Sequence, residues 1–417
     1  MSVLKLECIP SNRYALVEGT SSIKVLVKVR SEGEGGGARL PLNVALTLDR
    51  STSMYEDNKL DYVKAAACEM IDELGEADTL ALVDFGSDVN VSIGATPVKD
   101  KEKLKETVRG LRAKGATNLY DALKAGANEV RKNLAPSQVS RILLLTDGEA
   151  TEGVTEDDVI AQAAEDLWGS SISVTTLGVG RDYPEEFLAA VASAAGGNHY
   201  YISSKEDCDR IFREELASLS SIVAKEVSLT VTTPEGVASR VVNKGYKSEA
   251  SDGSLKIRLD DLEGGKTVEV VFDLRTGGRP KGEFLLATVD LAYDDTAGGT
   301  GRGSAKEEIA VQFTAQPAEV RGGINKDVLR VWEEVEAWER TEEIVGAVKD
   351  GKKDAEAAAG ELKDLVKTLM DKKSKKAGDI KAIATTILDK GGVDEHLGKT
   401  VVMEARKAHK AAKDTLS

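Results

Sequence analysis

The sequence predicts an α/β fold, with a doubly wound, mostly parallel sheet of six strands, a β-sandwich and a C-terminal α-helical region. Short apolar runs alternate with amphipathic helical segments over residues 40–222. This alternation indicates a parallel sheet with helices on both faces. Polar residues directly follow several of the apolar runs, which is where open α/β sheets bind ligands. From residue 224 the pattern changes to strands separated by Gly- and Asp-rich turns, which is typical of a sandwich.

The α/β domain is predicted to span residues 40–222. Its strands are predicted at 43–49, 79–85, 88–93, 140–146, 172–178 and 198–202. Its helices are predicted at 58–74, 100–110, 119–134, 155–167, 184–194 and 205–222. Because the strand at 88–93 follows the tight turn Phe85-Gly86-Ser87-Asp88, we expect it to be antiparallel and to lie at the edge of the sheet.

The segments on either side of this domain predict two further regions. Residues 1–38 contain two alternating apolar runs, which are too short to bury a core of their own. We therefore expect them to pack with the sandwich at 224–315, with the α/β domain inserted in it. Residues 320–417 predict a helical domain with further helices at 354–373, 377–389 and 393–415. Its first helix carries an apolar stripe that we expect to be core, formed by Val328, Val331, Trp332, Val335 and Trp338.

Composition and charge restrict the possible functions. A formal net charge of −15 and a pI of about 5.0 argue against nucleic acid as a partner. The chain has no run of about 18 apolar residues that would predict a membrane span, and no signal peptide is visible. Its three widely spaced cysteines, Cys8, Cys68 and Cys208, are expected to be reduced thiols. These observations favour a cytoplasmic location.

Five oxygen-bearing residues are predicted to meet at one edge of the sheet. Asp49, Ser51 and Ser53 follow the strand at 43–49, and Asp147 ends the strand at 140–146. Thr117 lies in a loop just before a helix. Because loops at the carboxyl ends of parallel strands share one crevice, two carboxylates and three hydroxyls should surround one point. Hard oxygen ligands of this kind suit Mg²⁺, Ca²⁺ or Mn²⁺.

This pattern resembles the metal-ion-dependent adhesion site of von Willebrand factor type A domains. The signature of that site is Asp-x-Ser-x-Ser, a distant Thr and a distant Asp in a Thr-Asp-Gly turn, and all three parts occur here in order. The resemblance implies Mg²⁺, or Ca²⁺ or Mn²⁺, at an intact site, where an open coordination position takes an Asp or Glu carboxylate of a partner protein. The order of regions also resembles that of cytoplasmic bacterial type A proteins, some of which work with AAA-type ATPases.

The leading hypothesis is a non-enzymatic, metal-dependent protein-binding module. Candidates for contacting the partner are Arg50, Tyr55, Asn118 and Glu149, which lie in the three loops. Two alternatives stay open: an adaptor or substrate-delivery partner of an AAA-type ATPase or of a signalling or conflict system, and a self-assembling subunit. Catalysis is not expected, because the sequence has neither a Gly-x-Ser-x-Gly elbow nor a Walker-type loop. The histidines His199, His396 and His409 also lie outside the metal loops.

Overall fold

The computed structural model describes residues 3–32, 39–180, 184–241, 246, 248–251, 253–296, 301–371, 376–393, 397 and 401. Three strands come first: β1 (Leu4–Pro10), β2 (Tyr14–Leu16) and β3 (Thr20–Ser31). The α/β domain follows, and its strands are β4 (Leu42–Asp49), β5 (Thr79–Phe85), β6 (Val89–Pro97), β7 (Val139–Thr146), β8 (Ser173–Val179) and β9 (His199–Ile202). Its helices are α1 (Lys59–Glu73), α2 (Lys101–Gly110), α3 (Leu119–Arg131), α4 (Asp157–Trp168), α5 (Glu185–Ala194) and α6 (Lys205–Ser220).

The six strands of this domain form one sheet in the order β6-β5-β4-β7-β8-β9. All neighbouring pairs are parallel except β5 and β6, which are antiparallel, so the predicted fold class and the antiparallel edge strand are both confirmed. The edge strand continues to Pro97, four residues beyond its predicted end.

Each face of the sheet carries its own apolar core. Every residue of β4 is buried, because alternate side chains of a central parallel strand enter opposite cores. Leu46 and Leu48 pack on the face covered by α1, α2 and α6. Ala45 faces the core of α3, α4 and α5. There Gly126 of α3 lies so close to β4 that an added Cβ would be 2.8 Å from the Thr47 hydroxyl oxygen. This close approach explains why position 126 is a glycine.

The sandwich consists of two packed sheets. Its remaining strands are β10 (Ile222–Thr232), β11 (Val237–Val241), β12 (Ser248–Ser251), β13 (Ser254–Arg258), β14 (Leu262–Glu263), β15 (Thr267–Gly277), β16 (Gly282–Asp295) and β17 (Gly301–Thr314). One sheet has the order β1-β3-β15-β11, and the other has β12-β13-β10-β16-β17-β2 with β14 beside β10. The N-terminal strands are thus parts of the sandwich, and the α/β domain lies between β3 and β10 in the chain.

The chain enters the α/β domain after β3 and returns to the sandwich at β10, and hydrogen bonds hold these two connections close together. Ser31, at the end of β3, donates its hydroxyl to the backbone oxygen of Glu263 at 2.8 Å. Glu263 pairs with Ile222 at the start of β10, and its carboxylate accepts a 2.8 Å hydrogen bond from Ser218. In addition, Arg141 of β7 lies 3.7 Å from Asp261 across the junction. Entry and exit of the α/β domain therefore share one corner of the sandwich.

The C-terminal region contains α7 (Pro317–Gly322), α8 (Lys326–Lys349), α9 (Ala355–Asp371) and α10 (Ala377–Lys390). The apolar stripe of α8 serves two cores. Val328 and Val335 are buried against Leu26 and Val271 of the sandwich, and Trp338 is buried with α9 and α10. The predicted helix at 393–415 lies almost entirely outside the described residues. Among the described helices, none has the length and apolar character that a bilayer span requires.

Candidate metal-binding site

The site begins at the adjacent carboxyl ends of β4 and β7. Because these strands are parallel neighbours, Asp49 and Asp147 reach the same edge of the sheet. Asp49 is fully buried, and its two oxygens accept hydrogen bonds from the Ser51 backbone N–H and the Thr146 hydroxyl, each at 2.6 Å. The carboxylate of Asp49 thus forms the floor of the site.

Two serine hydroxyls connect the β4 loop with Asp147. The Oγ atoms of Ser51 and Ser53 are 3.0 Å apart, and Ser53 Oγ donates to Asp147 Oδ1 at 2.7 Å. Asp147 Oδ2 accepts a hydrogen bond of 2.8 Å from the Lys59 ammonium. Ser51 is buried while Ser53 is exposed, so the row of oxygens leads from the floor of the site to solvent.

Thr117 belongs to a third loop, which backbone hydrogen bonds hold against the other two. Thr52 N donates to Gly115 O at 2.9 Å, which joins this loop to the β4 loop. Thr117 O accepts from the backbone N–H of Thr151 at 2.9 Å, which joins it to the loop after Asp147. The three loops that carry the five predicted residues are therefore fastened to one another, and Thr117 is buried between them.

The carboxylates differ in their electrostatic environment. Burial raises the pKa of Asp49 to about 6, although the hydrogen bonds from Thr146 and Ser51 oppose this shift. Among the described residues Asp49 makes no ion pair, whereas Asp147 pairs with Lys59. No group of three or more His, Cys, Asp or Glu side chains in the described part of the chain is arranged for a metal. A cation here would therefore depend on hydroxyl as well as carboxylate oxygens, a donor set that fits Mg²⁺, Ca²⁺ or Mn²⁺.

Two of the four residues predicted to contact a partner form interactions within the domain. Arg50 is buried and pairs with Asp84 at 2.5 Å, so its guanidinium is not available to a ligand. Asn118 is the N-cap of α3, where its side-chain oxygen accepts the Asp121 N–H at 3.3 Å. Both side chains have partners within the domain, because a position in a loop does not fix the direction of a side chain. That they contact a partner protein stays a prediction.

The other two predicted contact residues lie on the surface. Tyr55 is 79% exposed in the 3₁₀ segment Thr52–Asn58 that follows Ser51, and Glu149 is exposed beyond Asp147. An exposed aromatic ring at the rim of a polar site is a favourable contact for a protein ligand.

Sequence reasoning missed two side chains that touch the site. Thr146, which binds Asp49, could have been found from the Thr-Asp-Gly turn. Nothing in the sequence indicates that Lys59 contacts Asp147, because 88 residues separate the two and only the position of α1 in the fold brings them together.

Comparison with known proteins identifies the family of the α/β domain. The family model of the von Willebrand factor type A domain matches residues 43–214. The α/β domain is a von Willebrand factor type A domain. Proteins of this family commonly take part in protein–protein interactions. A solved structure described as von Willebrand factor type A from Catenulispora acidiphila superposes with a TM-score of 0.75, covering 99% of this chain and 98% of that one. At 18% sequence identity this similarity concerns the fold alone.

Relatives in sequence share the type A domain and part of its surroundings. The uncharacterised Synechocystis protein sll0103 is 28% identical over 67% of this chain and 68% of its own length. The uncharacterised Escherichia coli protein YfbK is 24% identical over 62% of this chain and 45% of its own length. The chain thus spans less than half of YfbK, and neither name states a ligand.

Proposed function

We propose that this protein binds a partner protein by holding a divalent ion, Mg²⁺ or in its place Ca²⁺ or Mn²⁺, that captures a carboxylate of the partner. The ion would be held by the five oxygen-bearing residues Asp49, Ser51, Ser53, Thr117 and Asp147. The proposed role is binding, without catalysis by this chain.

The observation that carries this proposal is the row of oxygens from Ser51 to Asp147, beside which Asp49 accepts the Ser51 backbone N–H. Ser51 Oγ and Ser53 Oγ are 3.0 Å apart, and Ser53 Oγ lies 2.7 Å from Asp147 Oδ1. Hydroxyls contribute oxygen lone pairs without charge, so they do not neutralise an ion. Of the two carboxylates that could neutralise the ion, Asp147 is already paired with Lys59, so an ion bound here would keep positive charge. The exposed position of Ser53 puts the ion within reach of solvent and of a partner. A Glu or Asp side chain is the anionic oxygen ligand that proteins offer most commonly to such ions.

The first test is calorimetric titration of the full chain with Mg²⁺, comparing wild type with Asp49→Asn. Removing the floor carboxylate should weaken Mg²⁺ binding at least about tenfold, because one full charge next to the ion is lost. Asp57→Asn is a matched control, since this exposed acid lies in the 3₁₀ segment that also contains Ser53. Its φ of 52° also suits Asn, which tolerates the left-handed region.

The second test identifies the partner protein by its metal-dependent retention. Immobilised wild-type protein with Mg²⁺ should retain a protein that EDTA releases and that Asp49→Asn does not retain. Replacing one Asp or Glu of that protein by its amide should abolish retention. Absence of Mg²⁺ binding by wild type, or retention that withstands EDTA, would contradict the proposal.

A further inference from the structure

Lys59 places a fixed positive charge against one carboxylate of the candidate site. Its ammonium lies 2.8 Å from Asp147 Oδ2, and their side chains are 15% and 0% exposed. Lys59 is the first residue of α1, so the helix start fixes where its side chain begins. Gly180, after β8, borders the same side chain, and a Cβ there would lie 2.8 Å from Lys59 Cε. The glycine thus leaves the space through which the ammonium reaches Asp147.

The two oxygens of Asp147 are divided between different donors. Oδ1 accepts the Ser53 hydroxyl, which belongs to the row of candidate ligands, and Oδ2 accepts Lys59. A lysine ammonium is a compact charge that donates hydrogen bonds and offers no lone pair, so it cannot ligate an ion. Its contribution is electrostatic. The formal charge of the two carboxylates falls from −2 to −1 when Lys59 is counted with them.

We propose that Lys59 is a built-in counter-cation that sets the divalent-ion affinity of this site. By neutralising Asp147, it weakens ion binding and leaves a bound ion with more of its positive charge uncompensated. Such an ion attracts an external carboxylate more strongly, so Lys59 shifts the site from simple metal storage towards ligand capture. This inference rests on the proposed function, because it concerns the same ion.

The test is titration of the full chain with Mg²⁺ alone, comparing wild type with Lys59→Met and Lys59→Arg. Lys59→Met should raise the affinity for Mg²⁺ about tenfold, because it removes one positive charge that repels the ion at short range. Lys59→Arg keeps the charge and should stay within about threefold of wild type. The direction is decisive, since a lysine that merely supported the structure would lower the affinity when removed.

Lys64→Met is the matched control. Lys64 lies on the same helix and its side chain is 14% exposed, but it pairs with the exposed Asp61 instead of Asp147. It should leave Mg²⁺ affinity within about twofold of wild type, because screening weakens charges beyond the site. Circular dichroism and the melting temperature verify that each variant is folded, and Lys59→Gln serves as a second neutral variant.

The outcomes separate the two proposals. Tighter Mg²⁺ binding in Lys59→Met or Lys59→Gln than in wild type supports the role of Lys59. Mg²⁺ binding that is sensitive to Asp49→Asn but unchanged or weakened in the neutral Lys59 variants overturns this inference alone. Absence of Mg²⁺ binding in wild type overturns the proposed function and this inference with it.

Discussion

Replacing Arg50 by Ala should destabilise the type A domain rather than simply remove a ligand contact. Arg50 lies between Asp49 and Ser51 in sequence, but its guanidinium is directed into the protein. Its Nε is 2.5 Å from Asp84 Oδ1, and the two side chains are 8% and 4% exposed. The substitution would therefore leave the Asp84 carboxylate buried without its cationic partner.

The size of the stability loss depends on the hydrogen bonds that Asp84 retains after the substitution. Removing one member of a buried ion pair costs about 3–5 kcal/mol. Asp84 also accepts hydrogen bonds from Asn90 Nδ2, at 3.3 Å, and from the Ser92 hydroxyl, which would remain. We therefore expect the lower end, about 3 kcal/mol, which corresponds to a fall of about 6–12 °C in the melting temperature of a domain of this size.

The assay is differential scanning calorimetry of the full chain, following the transition of the type A domain. Asp88→Ala is the control, because Asp88 is the exposed second partner of Arg50 at 3.2 Å and its loss should leave the transition unchanged. The double variant Arg50→Ala with Asp84→Asn should recover part of the loss, since no buried charge remains. A single Arg50→Ala variant that melts like wild type yet loses Mg²⁺-dependent partner binding would refute this reasoning.

Three further predictions concern buried groups elsewhere. Asp78→Asn should destabilise the protein at pH 7, because hydrogen bonds from Arg39 and from the Leu42 and Gly75 N–H groups outweigh burial and hold the pKa of Asp78 below its usual value of 3.8. The destabilisation should shrink progressively as the pH falls below 3.8 and through the lowered pKa, which urea unfolding over this pH range measures. Burial raises the pKa of the Cys208 thiol to about 12, so a disulfide reagent at pH 8 should modify it only after unfolding. Glu215→Ala should lower the free energy of unfolding by about 2–4 kcal/mol, because its carboxylate accepts hydrogen bonds from the buried Thr175 hydroxyl and from the part-buried Asn198 and Tyr200 side chains. A denaturant titration tests this.

The fold of the type A domain was predictable because its central strands are buried on both faces. β4 and β7 are largely apolar and end in polar residues, and that contrast identifies both the strands and the edge where Asp49 and Asp147 meet. The row of hydroxyls was predictable for the same reason, since Ser51 and Ser53 follow β4 directly.

Side-chain directions and long-range pairs were not predictable. Arg50 and Asn118 have the composition of ligand contacts, but burial beside Asp84 and capping of α3 determine their orientation. The stripe of α8 has one helical period, yet Val335 and Trp338 enter different cores. Periodicity reveals that a face is buried but does not reveal which element covers it.

The chain leaves the sandwich for the type A domain and returns to it at one shared corner, and this has a mechanical consequence. Ser31 and Ile222 are both joined to Glu263, while the candidate site lies at the opposite ends of β4 and β7. A pull on a captured partner would run along these strands towards that corner. The load would shear many parallel-strand hydrogen bonds at once instead of peeling them one by one. With a partner bound, this arrangement would transmit tension to the sandwich without unravelling the domain from one end.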